Sequence, residues 1–180
     1  DQDKCVNCGL CTVSCPFAAI SDKTELVQVL HQLMGPEESR PYALLAPSFV
    51  GQFGRLASPG AIAAGLRAVG FRGTREVALG ADCDTILLAR RIAERKAEVA
   101  GEATATAGAP AASAPRAFLG TSCCPSWVMT ARRHFPAFAG NIAESFTPMV
   151  ETARLIKEKD PGARVVFIGP CIAKKAEALE

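Results

Sequence analysis

The sequence predicts an α/β fold, a layered and largely parallel sheet, preceded by a small cysteine-rich segment. Three observations carry this. Short apolar runs of strand length alternate with longer stretches of helical periodicity, the pattern of strand–helix–strand units. Hydrophobic residues make up 49% of the 180, enough for a packed core without disulfides. Two later cysteine motifs each follow a predicted strand, where ligand sites of parallel sheets form.

Residues 1–22 form the cysteine-rich segment, and residues 23–180 the layered domain. Thr24 to Met34 reads as a helix, with Leu26, Val27, Leu30, Leu33 and Met34 at helical spacing, stopped by Gly35-Pro36. Tyr42 to Ala46 is an apolar run fit for a buried strand. Pro59 to Val69 reads as a helix with Pro in its first turn and Ser58 as N-cap. Glu76 to Leu79 reads as a second strand. Asp82 then opens a long helix whose buried side would use Ile86, Leu87, Ala89 and Ile92.

Ala100 to Pro115 is dominated by Ala, Gly, Thr, Ser and Pro, and is expected to be a flexible surface insertion. Ala117 to Leu119 is expected to be a short strand leading to Cys123 and Cys124, and a helix follows from Ser126 to about His134. Pro148 to Lys159 is a helix with Thr147 as its cap, broken by Pro161-Gly162. Val165 to Ile168 reads as the clearest buried strand. It passes through Gly169-Pro170-Cys171 into a last helix, Ala173 to Leu179.

Charge and composition exclude several function classes. A net charge of +2 offers no basic surface for nucleic acid or membrane. Aromatics, at 6%, are too few for a base-stacking platform. No run reaches the ~18 apolar residues of a membrane span, so no membrane insertion is expected. Seven of the eight cysteines sit in tight motifs with Pro or Gly, which fits metal ligation in a reducing, cytoplasmic setting better than a secreted disulfide scaffold.

Cys5, Cys8, Cys11 and Cys15, followed by Pro16, have the C-x2-C-x2-C-x3-C-P spacing of a cubane iron–sulfur site. Gly9 supplies the permissive backbone that close wrapping needs. A zinc knuckle is the bland alternative, but structural zinc splits its ligands into separated pairs. In two-cluster ferredoxins the fourth cysteine of such a run binds the other cluster. Cys15 is therefore expected to await a matching run upstream, or else to close its own cluster.

Thr121-Ser122-Cys123-Cys124-Pro125-Ser126-Trp127 and Gly169-Pro170-Cys171-Ile172-Ala173-Lys174-Lys175-Ala176-Glu177 resemble the first two active-site signatures of iron-only (FeFe) hydrogenases. The resemblance spans the chain apart from the Ala-rich insertion. It implies 4Fe-4S clusters and an H-cluster, a 4Fe-4S cubane joined to a binuclear iron unit with carbon monoxide, cyanide and a dithiolate. It further implies reversible reduction of protons to hydrogen, with ferredoxin or a similar low-potential carrier and the hydrogenase maturation proteins as partners.

Position by position, the resemblance makes Cys124 and Cys171 two of the cubane's four ligands. Cys123 becomes the thiol that passes protons, and Lys174 a charge-assisted donor to a cyanide. Ala46, Pro47 and Ser48 resemble a segment lining the binuclear unit, and Pro148 another pocket residue. Lys175 and Glu177 belong to the signature or else to a solvated helix face.

The chain also departs from the family pattern. Gly169 stands where many relatives carry Met, Met149 where a polar residue stands, and Ala143 where a proton-relaying Ser is frequent. The third signature, source of the other two cubane ligands, is absent, so the sequence is expected to be an internal fragment, inactive alone. A hydrogen sensor, an electron-transfer subunit and a non-catalytic iron–sulfur assembly relative are the alternatives. Cys123 and Lys174 argue against the last. Cys83 reads as a buried small residue, His31 and His134 as structural or exposed, and Trp127 as a packing anchor.

Overall fold

The computed structural model describes residues 3–54, 57–103 and 118–179, with nothing said of the side chains of 98–103. Three strands, β1 (Tyr42–Leu45), β2 (Gly73–Glu76) and β3 (Val165–Ile168), form a parallel sheet in the order β2–β1–β3. The helices are α1 (Leu10–Ser14), α2 (Leu26–Leu33), α3 (Pro59–Val69), α4 (Ala78–Ala103), α5 (Pro125–His134), α6 (Pro136–Ala139), α7 (Pro148–Lys159) and α8 (Ala173–Glu177). The layered α/β architecture is the one the alternating pattern predicts.

The central strand organises both layers. Ala43 and Leu44 are fully buried and point to opposite faces, as the two-residue period of a strand requires. Ala43 packs with Leu33 and Phe71, joined by Val29 of α2 and Leu66 of α3. Leu44 packs on the other side with Val77, Met149, Ile156 and Ala163, so α7 covers that face. The pairing is in step: Leu45 lies opposite Glu76 on one side and Ile168 on the other. The ladder continues one residue further, with Val77 N–H donating to Leu45 O at 2.9 Å and Ala46 N–H to Ile168 O at 3.0 Å.

Several elements form for the reasons the sequence indicates. Ser58 caps α3, accepting the Ala61 N–H at 3.2 Å, and Pro59 opens the helix. Gly70 closes it at φ 121°, a conformation that glycine adopts at low cost. α5 begins at Pro125 with Cys124 at its N-cap position.

Other expectations need correction. The second strand is Gly73–Glu76, not Glu76 to Leu79, because register with β1 selects it. β2 lies at a sheet edge and is only partly covered, so it carries no apolar run to betray it. The long helix starts at Ala78 rather than Asp82. Its inward stripe is Gly80, Asp84 and Leu88, whereas Ile86, Leu87, Ala89 and Ile92 are exposed.

α4 continues into the expected insertion as far as Ala103, and the remainder of that stretch lies outside the described residues. Phe118 and Leu119 form no strand, and Ala117 lies outside the described residues. An isolated parallel bridge joins Gly120 to Ile142 instead. β3 is an edge strand and only half-buried, with Ile168 exposed.

α2 turns Val29 and Leu33 inward and leaves Leu26, Val27, Leu30 and Met34 exposed. Thr147 holds the cap position of α7, but its hydroxyl caps nothing and is buried without a partner.

The α4–α7 contact is close enough to demand glycine. A Cβ on Gly80 would stand 2.3 Å from Pro148 O and 2.5 Å from Thr152 Oγ1. Ala favours helix by about 1 kcal/mol over Gly, but the obstructing carbonyl is backbone and cannot swing aside. Gly80→Ala is therefore expected to destabilise the fold by about 1–3 kcal/mol. A denaturant midpoint equal to or above that of the unmodified protein would contradict this.

Candidate functional site

The parallel register brings three chain segments to one level. Beyond the carboxyl ends of the strands lie Ala46 after β1, Val77 after β2, and Pro170 and Cys171 after β3. Together with the turn before α5 and the first turn of α7 they enclose a cavity of about 300 Å³. Ala46, Pro47, Pro148 and Lys174 all line it, as do Cys123, Cys124 and Cys171. The sequence singles out all seven, and they are separated by up to 128 positions, from Ala46 to Lys174.

Ser48 is the exception. It sits in the short turn Pro47–Phe49, is exposed, and lies outside the cavity lining. The cavity also has apolar walls: Met149, noted as a departure from the family pattern, and Val77 and Phe167, which the motifs do not indicate. Their signal in the sequence is positional, since each adjoins or ends an element that delivers a predicted residue.

Lys174 ties the two later motifs together. Its ammonium donates to Cys123 O at 3.3 Å and pairs with Glu177 Oε2 at 2.7 Å. Both side chains of that pair are largely buried, at 11% and 13% exposure, so Glu177 does not belong to a solvated face. The Cys123 thiol sits 3.4 Å from Thr121 Oγ1, and Cys123, Cys124 and Cys171 are all exposed and free of disulfides.

Gly169 has no space for a side chain. A Cβ there would lie 2.6 Å from Phe167 Cζ and 2.8 Å from Ala46 Cβ, so the phenyl ring and the alanine occupy the room a larger residue would need.

A second cavity, of about 490 Å³, lies behind Glu177. Ala143, which offers no hydroxyl, is buried in its wall, but Ser122 and Ser145 share a hydrogen bond there at 2.7 Å.

The amino-terminal cysteines occupy a wrapped backbone. Asn7, Gly9 and Ala18 have left-handed φ values of 54°, 77° and 49°. Asn7 N–H donates to Cys5 Sγ and Ala19 N–H to Cys15 Sγ, both at 3.4 Å. The amides after Cys15, Ala19's first and then Phe17's, hold its thiol below the usual cysteine range.

Such amide-to-sulfur bonds suit thiolates that ligate a cluster. Among the described residues no three His, Cys, Asp or Glu side chains gather closely enough for a single metal ion. A cubane presents separate irons to separate thiolates, so its ligands need not converge on one point. The donor set, with free thiols and amide-bonded sulfurs, fits an iron–sulfur group.

Comparison with known proteins gives the family and the fold. Residues 39–180 match the family described as iron only hydrogenase large subunit, C-terminal domain. The chain belongs to the iron-only hydrogenase family. Residues 1–21 match the 4Fe-4S binding domain. Iron hydrogenase 1 of Clostridium pasteurianum is 28% identical over 178 residues, covering 91% of this chain and 28% of that protein.

A solved FeFe-hydrogenase, described in work on oxygen inactivation beginning at the 2Fe subcluster of its H cluster, superposes with a TM-score of 0.67. It is 22% identical, over 87% of this chain and 41% of that one, and shares the fold. The chain thus spans well under half the length of either. Family membership supports the expected 4Fe-4S clusters and H-cluster as the cofactors. No helix among the described residues is long and apolar enough to cross a membrane.

The Lys174–Glu177 pair yields a stability prediction. Lys174→Met leaves a largely buried carboxylate without its cation, at a cost of about 1–3 kcal/mol or more. Adding Glu177→Gln removes the stranded charge and is expected to recover part of that loss. Equal denaturant midpoints for the single and double variants would show that the pair is not coupled in this way.

Proposed function

We propose that the chain forms part of the catalytic centre of a hydrogenase that interconverts protons and hydrogen with electrons from ferredoxin or a similar low-potential carrier. The observation that carries this is the shared cavity. Seven residues expected from the family resemblance, four of them in the two signatures, line one largely apolar space at the carboxyl end of a parallel sheet.

In this reading Cys5, Cys8, Cys11 and Cys15 hold 4Fe-4S iron, and Cys124 and Cys171 supply two thiolates to the cubane of the H-cluster. When bound, the H-cluster supplies the low-potential metal at which protons and electrons combine. The chain's own residues do the rest. Ala46, Pro47, Pro148 and Phe167 give the cavity its apolar walls and shape it.

Lys174 offers an ammonium fixed by Glu177 and by Cys123 O, a preorganised donor for an anionic ligand such as cyanide. Cys123 carries a proton on Sγ at the cavity edge, and the Thr121 hydroxyl beside it offers that proton a neighbour toward solvent. Ser48, exposed beside Pro47 in the same turn, is the further candidate donor to a cyanide.

The test is hydrogen evolution from a reduced dye by the full reading frame matured with its binuclear cofactor. Cys123→Ala is expected to lower the rate about 10²–10⁴-fold while the clusters still assemble. Unchanged activity in that variant would remove Cys123 from proton delivery. No hydrogen from the matured, cluster-loaded protein would overturn the catalytic reading.

A further inference from the structure

The cysteine-rich segment is not an independent bead on a linker. It rests on α5 and α8, the two helices that directly follow the turns carrying Cys124 and Cys171. Arg133 of α5 donates to the carbonyls of Asp3 and Cys5, and His134 Nε2 approaches Lys4 O at 3.4 Å. Ile172 presses against Gly9, where a Cβ would come within 2.8 Å of its Cδ1. Asn7 Nδ2 reaches Met129 Sδ at 3.9 Å.

Lys175 carries a charged part of this contact. Lys175 Nζ pairs with Asp22 Oδ2 at 2.5 Å and with Glu25 Oε2 at 2.9 Å, and also donates to Lys23 O. The Asp22 carboxylate that ends the cysteine segment, and the Lys23 carbonyl and Glu25 carboxylate that lead on from it into α2, thus surround one ammonium on α8, four residues after Cys171.

We propose that Lys175 is a positioning residue, an electrostatic latch that holds the Cys5–Cys15 segment against α8 and so sets its spacing from Cys124 and Cys171. Building on the hydrogenase reading, the latch governs how closely the two sets of thiolates approach. One electron lost by the group on the first set is gained by the group on the second, with no further reactant. Tunnelling of that electron falls off exponentially with separation, so a segment that lifts away would slow it.

A single exposed ion pair contributes little to stability. Here two carboxylates act on one cation, and the contact closes a long loop from Asp22 to Lys175. Because all three side chains remain partly exposed, at 39%, 47% and 48%, salt should weaken the latch. Arg133 donates to the Asp3 and Cys5 carbonyls, and such bonds to uncharged acceptors respond less to ionic strength than ion pairs do.

The test uses hydrogen–deuterium exchange across residues 3–25 in the complete protein, with and without its clusters. Lys175→Glu is expected to speed exchange about tenfold in low salt, and high salt to reproduce part of that effect in the unmodified protein. Lys175→Arg should retain protection. The charge exchange Lys175→Glu with Asp22→Lys and Glu25→Lys should restore it.

In the cluster-loaded, reduced protein the magnetic broadening between the two iron–sulfur centres should weaken in Lys175→Glu and return in the exchanged variant. Unaltered exchange in Lys175→Glu overturns the proposal. So does a loss that the charge exchange fails to restore, since disruption of α8 rather than the ion pairs would then be the cause. Exchange that depends on Lys175 in a protein yielding no hydrogen would overturn the hydrogenase reading and leave the latch standing.

Discussion

Parallel, in-step pairing of β1 with both of its neighbours is the constraint on which the site depends. Each strand ends at the same level, and the ladder carries Ala46 and Val77 one hydrogen bond further, so the chain leaves the sheet along a common rim. Buried backbone polar groups must be paired, and here the pairing itself specifies where the loops begin. Leu44 and Ala43 anchor the central strand from opposite faces, which prevents it from sliding. A one-residue slip would reverse those faces and also move Ala46 off the cavity.

The two later cysteine motifs, which lead into α5 and α8, are joined by polar contacts. Lys174 reaches from α8 to the carbonyl of Cys123 and draws Glu177 into a largely buried pair. That pair is expensive to desolvate, and the bonds of the ammonium to Glu177 and to Cys123 O offset part of the cost. The neighbouring Lys175 faces the other way and meets the cysteine-rich segment. Adjacent lysines on a five-residue helix therefore serve two different contacts, one toward the cavity and one toward the amino-terminal iron–sulfur module.

Family membership and local packing bear on different matters. The match over residues 39–180 explains why the signatures occur in order. It does not explain the particular walls of this cavity. Gly169 is required here because Phe167 and Ala46 already fill the space beside it. The hydroxyl missing at Ala143 has a counterpart nearby in the Ser122–Ser145 pair, which no single motif position would reveal.

The sequence by itself determined the chemistry and most of the element types. Cysteine spacing at Cys5 to Cys15, the Cys123-Cys124-Pro125 turn and the Cys171 to Glu177 signature are local patterns, and local patterns survive without tertiary knowledge. Ser58 with Pro59 likewise marked the start of α3. Tertiary structure decided what depends on partners distant in the chain. β2 was placed by register with β1 rather than by its own composition, and α4 buries Gly80 and Asp84 rather than its large apolar residues because Pro148 and Thr152 lie against it. Ser48 left the cavity and Phe167 and Met149 entered it for the same reason. Side-chain direction follows from which surfaces meet, and no stretch of sequence contains both surfaces.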